Sequence, residues 1–376
     1  MTTTLLCKGI SYQPPKIVSP NVFREDLRTV LAKLSPKYIT MIDAMDDYML
    51  SYLGYTLEYW INLLKVEAHL RIKFRETKIA EWFAFWAGFC SAGGRFPLVS
   101  SEIHLSPSSN NQELGKDRDS KIFSVIPMGT DSKHVREILQ STLRVLQKDN
   151  RIAKVYIVYD GIDPDETSDA RFSKVETYST PKRSGPAKAR NIGLIEGFSR
   201  EYSDALLLDS DVSLKQVSLS RLVRQYCQSG SAIGCPLISS TGTTWFDRYH
   251  NLSGTLNGRY LNSSNKSNLL FGTTSCMFIS RQVYDAGLLF STDFPEAAGE
   301  DIDYCLRAIL ANFTITALDN VNVFHWYGYD ADDRHDWGSF LSRFERYGRG
   351  EYLLTKKHPY YHFLMNHTSE RLRPSG

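Results

Sequence analysis

Short apolar runs separated by helical patterns mark the chain from residue 122 onward. Four such runs, each bounded by turn residues, are IFSVI (122–126), VYIVY (155–159), ALLL (205–208) and CMFI (276–279). A helical pattern covers 135–147, between the first two runs. Strands that alternate with helices are typical of an α/β domain whose sheet is mostly parallel. We therefore predict an α/β domain over residues 121–335.

The first hundred residues show helical spacing instead, with no strand-like alternation of comparable length. An early set of apolar residues recurs at that spacing until Pro36 breaks it: Phe23, Leu27, Val30, Leu31 and Leu34. A second helical pattern covers 39–76. The most apolar window, WFAFWAGFC at 82–90, is too short at nine residues to span a bilayer, and we expect a buried helix there. The pattern predicts a helical N-terminal region over 1–100.

Two further segments flank the α/β domain. Residues 101–120 are rich in Ser, Asn and charge, which predicts a linker. Residues 336–376 form a predicted C-terminal helical extension, because DWGSFLSRFERYGRG at its start carries an apolar helical face. Arg343, Arg346 and Arg349 lie three apart on that helix. They form either a solvated basic face or an anion contact near a phosphate site.

Composition and charge narrow the class of protein. The 376 residues include 44 Lys+Arg and 42 Asp+Glu, for a net charge of +2, whereas a nucleic-acid-binding protein would usually be strongly basic. The six cysteines show no CxxC spacing, so neither a zinc site nor a disulfide framework is indicated. The first residues lack the pattern of a secretory signal, and no transmembrane segment is expected. We expect a cytoplasmic protein that does not bind nucleic acid, and the sequence leaves oligomer formation open.

Acidic residues follow two of the apolar runs, at the ends of strands where α/β sheets bind ligands. Asp209 and Asp211 come directly after ALLL, and Asp160 follows VYIVY. Such residues can simply end strands, form turns or cap a following helix. Two carboxylates with open coordination positions also suit Mg²⁺ or Mn²⁺ bridged to a substrate phosphate. The pair alone leaves both interpretations open.

A basic segment also carries candidate chemistry. In SGPAKARNIGL (184–194), Gly185-Pro186 predicts a turn into a helix. The free N–H groups of a helix start favour an anion, and Lys188 and Arg190 add positive charge. Basic residues are common in the first turns of helices, so this signal is weak by itself.

An acidic segment and a histidine complete the set. AAGEDIDYCLRA (297–308) places Glu300 and Asp301 at a predicted helix start, where the helix dipole stabilises negative charge and N-capping is the simpler explanation. VFHWYGYD (323–330) places His325 at the end of an apolar run. A lone His after a strand is usually structural, so neither segment is decisive alone.

The order of these motifs changes their interpretation. Along the chain come IPMGTD, YDG, GPAKARNIG, LLLDSDV, FGTTSCMFISR, GEDIDYCLR and VFHW. This order and spacing, over roughly residues 121–350, resemble the family-2 glycosyltransferases of the nucleotide-sugar-binding GT-A fold. GEDIDYCLR, the His and R-x-x-x-Y-G-x-G look most like bacterial enzymes such as the mycofactocin-type glycosyltransferases. The resemblance implies a Rossmann-like mixed α/β sheet flanked by helices, here with the helical N-terminal region in front.

The resemblance also implies roles for single residues. Asp211 corresponds to the usual metal ligand and His325 to the histidine that can complete the metal site, with Mn²⁺ or Mg²⁺ as the cofactor. Asp301 corresponds to the catalytic base. The positions that correspond to nucleotide-sugar-binding residues are Pro127, Asp160, Lys188, Arg190, Asn191, Asp209 and Ser210.

These roles imply a metal-dependent glycosyltransferase that moves a sugar from a nucleotide-sugar, most often a UDP-sugar, to a hydroxyl acceptor with inversion. The acceptor would be a small molecule, a peptide or a glycan. A metal would offset the charge that develops on a nucleoside diphosphate leaving group, and a carboxylate can deprotonate an acceptor hydroxyl.

Two alternatives remain. The first is a nucleotidyltransferase on a similar sheet, which would more naturally carry a Gly-rich loop where PMGTDSKH has a single Gly. The second is a non-catalytic protein that binds nucleotide-sugars or glycans. The presence of both the acidic pair and the GED sequence argues against it.

Overall fold

A computed structural model of the chain describes residues 20–32, 38, 42, 57, 68–94, 121–164, 169–262, 265–330, 334–359 and 361. The chain divides into two compact units, Met1–Ala84 and Phe85–Gly376. The predicted linker over 101–120 lies outside the described residues, as does most of the helical pattern over 39–76. The predicted domain boundaries therefore stay a prediction.

Helix Pro20–Ala32 lies in the first unit, helix Ala68–Ser91 spans the division, and helices and strands alternate through most of the second unit. The helices are α1 (Pro20–Ala32), α2 (Ala68–Ser91), α3 (Lys133–Lys148), α4 (Pro186–Ser199), α5 (Gln216–Ser229), α6 (Trp245–Ser253), α7 (Arg281–Asp285), α8 (Glu300–Leu310) and α9 (Arg334–Lys357). The strands are β1 (Ile122–Met128), β2 (Ile152–Asp160), β3 (Val175–Thr180), β4 (Asp204–Leu208), β5 (Val212–Ser213), β6 (Ile233–Ser240), β7 (Arg259–Asn262), β8 (Asn265–Phe271), β9 (Cys276–Ser280) and β10 (Ile315–His325).

The strands form one mixed sheet in the order β3-β2-β1-β4-β9-β6-β10-β8-β7, and the short β5 pairs with β10. Strand β1 is parallel to β2 and β4, β2 is parallel to β3, and β6 is parallel to β10. Strand β9 runs antiparallel between β4 and β6. Six strands therefore point the same way, and Asp160, Leu208, Ser240 and His325 end their strands at one edge of the sheet.

Both faces of the sheet are covered, which explains why ALLL has no polar alternation. Ala205 and Leu207 join the core formed with α4 and α8, whereas Leu206 and Leu208 join the core formed with α3 and α5. A strand buried on both faces is apolar at every position. Helix α3 is fixed at its start by Ser132, whose hydroxyl accepts a hydrogen bond from the Val135 amide.

The predicted mixed α/β sheet flanked by helices is confirmed, and the four predicted strands are observed as β1, β2, β4 and β9. Within the predicted N-terminal region, the described residues include the helices α1 and α2, and the extent of the region stays a prediction. The window over 82–90 lies in α2, where Phe83 and Phe89 are buried. No helix among the described residues combines the length and the apolar character needed to cross a membrane.

Helix α9 crosses the last two turns of α2 at close range within the second unit. A Cβ atom at Gly88 would overlap the backbone carbonyl of Glu345, and one at Gly348 would overlap that of Phe85. Phe89 packs edge-on against the ring of Tyr352, with 5.7 Å between ring centroids. Two glycines thus let the backbones of the helices touch.

The same helix also passes the turn that leads into α8. A Cβ atom at Gly350 would lie 2.5 Å from the carbonyl oxygen of Ala298, and one at Gly299 would lie 3.2 Å from that of Gly350. Gly299 has a positive φ of 89°, a conformation that favours glycine. Helix α9 is therefore in backbone contact with both α2 and the GED turn.

Candidate active site

The DSD sequence directly follows β4, and the two-residue strand β5 comes directly after it. Strand β5 pairs antiparallel with the end of β10, so that Val212 lies opposite His325. The amide of Trp326 donates a hydrogen bond to the Asp211 carbonyl (3.0 Å). On the other side, the Thr142 hydroxyl donates to the Val212 carbonyl (2.7 Å). These backbone contacts hold the loop against the end of β10.

The pairing brings Asp211 and His325, which the resemblance assigned to a metal site, next to Asp209, which it assigned to nucleotide-sugar binding. One ligand atom from each of Asp209, Asp211 and His325 lies within 4.8 Å of the others. His325 Nε2 is 3.2 Å from Asp211 Oδ1. The imidazole is buried, and its Nδ1 has no hydrogen-bond partner among the described residues. Two carboxylates and one imidazole form a donor set that fits Mn²⁺ or Mg²⁺.

The two aspartates of the DSD sequence have different surroundings. Burial would raise the pKa of Asp209, but the Arg190 guanidinium and His325 outweigh burial and hold that pKa below its usual value. Burial raises the pKa of Asp211, and the opposing effect of His325 is smaller. Both oxygens of Asp209 accept hydrogen bonds, Oδ1 from Arg190 (2.8 Å) and Oδ2 from the Ser275 hydroxyl (2.9 Å). Asp211 therefore has the freer carboxylate for a cation.

Arg190 connects the DSD sequence to the GED sequence. Its Nη2 donates to Asp209, and its Nη1 donates to Glu300 Oε1 at 2.9 Å. Arg190 is only 3% exposed and Glu300 is also 3% exposed, so this is a buried ion pair. Sequence reasoning placed Arg190 among the donor-binding residues, and in the structure its two Nη atoms are taken up by carboxylates.

Asp301 lies beside this pair at the start of α8. Its Oδ1 accepts a hydrogen bond from the Ile302 amide (2.9 Å). Burial, followed by the negative charge of Glu300, raises the pKa of Asp301 from 3.8 to about 7, although Arg190 acts in the opposite direction. A carboxylate with a pKa near neutrality is suited to accept a proton. Asp301 thus directly follows Glu300, the carboxylate that Arg190 joins to Asp209 of the group that could hold a metal.

Asp160 ends β2 at the same sheet edge, but its carboxylate is already occupied. Oδ1 accepts hydrogen bonds from the Thr180 hydroxyl and from the amide and hydroxyl of Ser184, and Oδ2 accepts one from the Gly185 amide. Burial would raise the pKa of Asp160, yet these donors hold it below its usual value. In this structure Asp160 fixes the turn before α4, a role that sequence reasoning did not anticipate.

The remaining predicted donor-binding residues differ in accessibility. Asn191 exchanges two hydrogen bonds of 2.8 Å with the backbone of Phe290 and so anchors the loop after α7. Lys188 is exposed on α4, and Ser210 is partly buried in the DSD turn. Pro127 is buried in β1. Their roles in donor binding stay a prediction.

Two residues of the site were missed or left open by sequence reasoning. Ser275 lies in the FGTTSC turn, where a serine gives no signal that its hydroxyl will reach Asp209. Arg343 was one of three arginines with two possible interpretations. Its guanidinium lies over the rings of Tyr327 (5.2 Å) and Tyr329 (5.8 Å), and Nη2 donates to the Tyr327 carbonyl (2.7 Å). Its contact with Tyr327, two residues beyond His325, could not be predicted from spacing alone.

Comparison with known proteins finds a family model that matches part of the chain. Residues 205–369 match the family model described as glycosyl transferase family group 2. This match covers the DSD, GED and His325 positions and supports the predicted resemblance to family-2 glycosyltransferases. The narrower resemblance to mycofactocin-type enzymes stays a prediction. A search of the curated proteins finds no match.

Several solved structures of glycosyltransferases resemble the fold at low identity. GalNAc-T7 with UDP, GalNAc and Mn²⁺ is 14% identical with a TM-score of 0.42, and the alignment covers 56% of this chain and 45% of that one. S. aureus TarS 1-349 in complex with UDP is 14% identical with a TM-score of 0.40, covering 66% and 75%. The mannosyltransferase PcManGT from Pyrobaculum calidifontis, in complex with GDP-Man and Mn²⁺, is 12% identical with a TM-score of 0.43, covering 82% and 85%.

Proposed function

We propose that the protein is a metal-dependent glycosyltransferase that moves a sugar from a nucleotide-sugar to a hydroxyl acceptor with inversion at the anomeric carbon. One observation carries the proposal: two aspartates and a histidine that could hold a metal are joined through Arg190 to Glu300, the neighbour of Asp301, whose pKa is raised to about 7. A UDP-sugar is the expected donor. The acceptor is a small molecule, a peptide or a glycan.

The residues of the site divide the chemistry between two sides. Asp209, Asp211 and His325 would hold Mn²⁺ or Mg²⁺, which when bound offsets the negative charge of the diphosphate leaving group. On the other side, Asp301 takes the proton of the acceptor hydroxyl as that oxygen attacks the anomeric carbon. A single displacement with one base on the acceptor side inverts the configuration.

Arg343 would contact the diphosphate of the donor. Its positive charge acts on Asp211. Its partners include the Tyr327 carbonyl, the rings of Tyr327 and Tyr329, and the Tyr347 side chain, all of which are neutral groups. A cation with neutral partners can accept a phosphate without first breaking an ion pair. Arg349, on the same helix, is already paired with Glu296 at 2.7 and 2.8 Å.

This difference provides a matched test of the arginine. Arg343→Gln should weaken binding of UDP with Mn²⁺ by about 10- to 100-fold, the usual value of a hydrogen bond to a charged group. Arg349→Gln should leave the affinity within about threefold. Calorimetric titration with UDP and with uridine separates the phosphate contribution from that of the nucleoside. Equal losses in the two variants would remove Arg343 from the donor site.

The function itself is tested by ligand binding and by product stereochemistry. Unfolding temperatures are measured with UDP, GDP or dTDP, each with and without Mn²⁺ or Mg²⁺. A ligand present at about 100 times its Kd should add roughly 2.7 kcal/mol to the free energy of unfolding. NMR of the sugar product then reports the anomeric configuration. Metal-independent binding would contradict the metal site, and a retained configuration would contradict the single displacement.

A further inference from the structure

Arg190 is a buried cation held between two carboxylates of the site. It lies in the second turn of α4, is 3% exposed, and divides its guanidinium between Asp209 and Glu300. The Nε atom is buried without a hydrogen-bond partner among the described residues. The guanidinium also lies 5.8 Å from the centroid of the Phe290 ring. One Nη atom therefore contacts the DSD sequence, and the other contacts the GED sequence.

The two carboxylates come from distant parts of the chain. Asp209 follows β4, whereas Glu300 is the first residue of α8 and precedes Asp301. Among the described residues, the Arg190 side chain is the direct bridge between the metal-binding loop and the GED turn. A planar guanidinium can hold two carboxylates at once, which an ammonium group does with less defined geometry.

The charges of the site also require this cation. Glu300, Asp301 and Asp209 are three acidic groups close enough to influence one another, and Cys235 and Cys305 are buried beside Asp301. Arg190 is the positive group that lowers the pKa of Asp301, whereas burial, Glu300 and Asp209 raise it. Breaking a buried ion pair on one side leaves an uncompensated charge.

We propose that Arg190 is a positioning residue that couples the donor half of the site to the catalytic base, and that it is not a ligand of the nucleotide-sugar. It orients Asp209 beside the metal-binding atoms and holds Glu300, and with it the start of α8, in place. It also keeps the neighbouring carboxylate of Asp301 available as a base at neutral pH. This inference rests on the proposed function, because Asp301 acts as a base only there.

The test measures the pH dependence of turnover together with donor affinity. Arg190→Gln should lower kcat by about 10- to 100-fold and move the acidic limb of the pH–rate profile to higher pH, because the base loses its nearby cation. Binding of UDP with Mn²⁺ should change by less than about tenfold. Arg190→Lys should move the acidic limb less than Arg190→Gln, because it keeps the charge and loses the bridge.

A charge-balanced double variant keeps the test valid if Arg190→Gln does not fold. Arg190→Gln combined with Glu300→Gln removes both members of the buried pair and leaves no uncompensated carboxylate at position 300. The double variant should be more stable than Arg190→Gln, and its acidic limb should lie at lower pH than that of the single variant. Arg200→Gln, an exposed arginine at the end of the same helix, is the control and should show the wild-type profile.

The outcomes distinguish this inference from the proposed function. A wild-type protein without metal-dependent nucleotide binding or turnover would refute the function and, with it, the inference. An active wild type whose acidic limb is unmoved in both Arg190→Gln and the double variant would refute the inference alone. A loss of UDP affinity of 100-fold or more with an unchanged pH profile would make Arg190 a donor ligand.

Discussion

Replacing Asp301 with asparagine should make the protein more stable and nearly inactive. In the folded protein, burial and Glu300 raise the pKa of Asp301 from 3.8 to about 7. Each unit of pKa difference corresponds to about 1.4 kcal/mol, so an ionised Asp301 costs the folded state at most on the order of 4 kcal/mol. Asp301 is partly exposed, and solvent screening reduces this cost. We expect Asp301→Asn to add about 1–3 kcal/mol to the free energy of unfolding at pH 8.

The effect of Asp301 on stability depends on pH. Below pH 3.8, the carboxyl group is protonated in the folded and the unfolded chain, and it carries no penalty. Between 3.8 and about 7, the unfolded chain has released the proton and the folded chain still holds it, so stability falls as the pH rises. Above about pH 7, the loss of stability caused by Asp301 no longer changes with pH. The stability advantage of Asp301→Asn should therefore be absent at pH 3.5 and complete at pH 8.

Activity should show the opposite dependence. The base works in its ionised form, so turnover of the wild type should be lost as the pH falls through about 7, or somewhat lower when a bound cation favours ionisation. Asp301→Asn should lower turnover by about 10²–10⁴-fold and leave donor binding nearly intact.

The assays are urea unfolding without metal at several pH values and turnover with metal over the same range. Asp285→Asn, which removes an exposed carboxylate, is the control and should change stability by less than about 0.5 kcal/mol. An acidic limb near pH 4, together with an Asp301→Asn variant no more stable than the wild type, would refute the reasoning. Near-normal turnover in the variant would assign the base elsewhere.

Two other predictions follow from the metal-binding group and the helix crossing. Asp211→Ala should abolish most of the metal-dependent gain in UDP affinity, and His325→Ala should reduce that gain less, because water can replace one neutral ligand. Calorimetry with and without Mn²⁺ measures the gain in each variant. If the gain is unchanged in both variants, Asp209, Asp211 and His325 form a structural group. Gly348→Ala should lower the free energy of unfolding by about 1–3 kcal/mol, because its Cβ would overlap a backbone carbonyl. Gly338→Ala, on the same helix with open space at its Cβ, should instead stabilise by about 0.5–1 kcal/mol, and equal effects in thermal unfolding would contradict the close crossing.

Much of the fold and part of the site could be predicted from the sequence because those features depend on local pattern. ALLL predicts a strand covered on both faces, and an acidic pair directly after it can be placed at the sheet edge where ligands bind. The motif order then identifies Asp211 and Asp301 as the residues to examine. These inferences need only the strand direction and the sequence positions of the motifs.

The remaining features depend on contacts between distant segments. His325 faces Asp211 because a two-residue strand after the DSD loop pairs with the end of β10, and two residues are too few to predict. Arg190 suggested a phosphate contact by its charge, but only the tertiary structure shows two carboxylates on either side of it. Asp160 likewise ends a strand as predicted, whereas its hydrogen bonds to the Ser184 and Gly185 amides depend on the path of the following loop.

The glycine crossing between α2 and α9 affects where the chain can be divided. A fragment that begins at residue 121, the predicted start of the α/β domain, would lack the helical turns that contain Gly88 and Phe89. Gly348 would then lose its contact with the Phe85 backbone, and the ring of Tyr352 would lose its contact with Phe89. Because α9 also touches the turn before Glu300, such a fragment would lose support next to Asp301, the proposed base. Recombinant fragments and domain exchanges should therefore begin before α2.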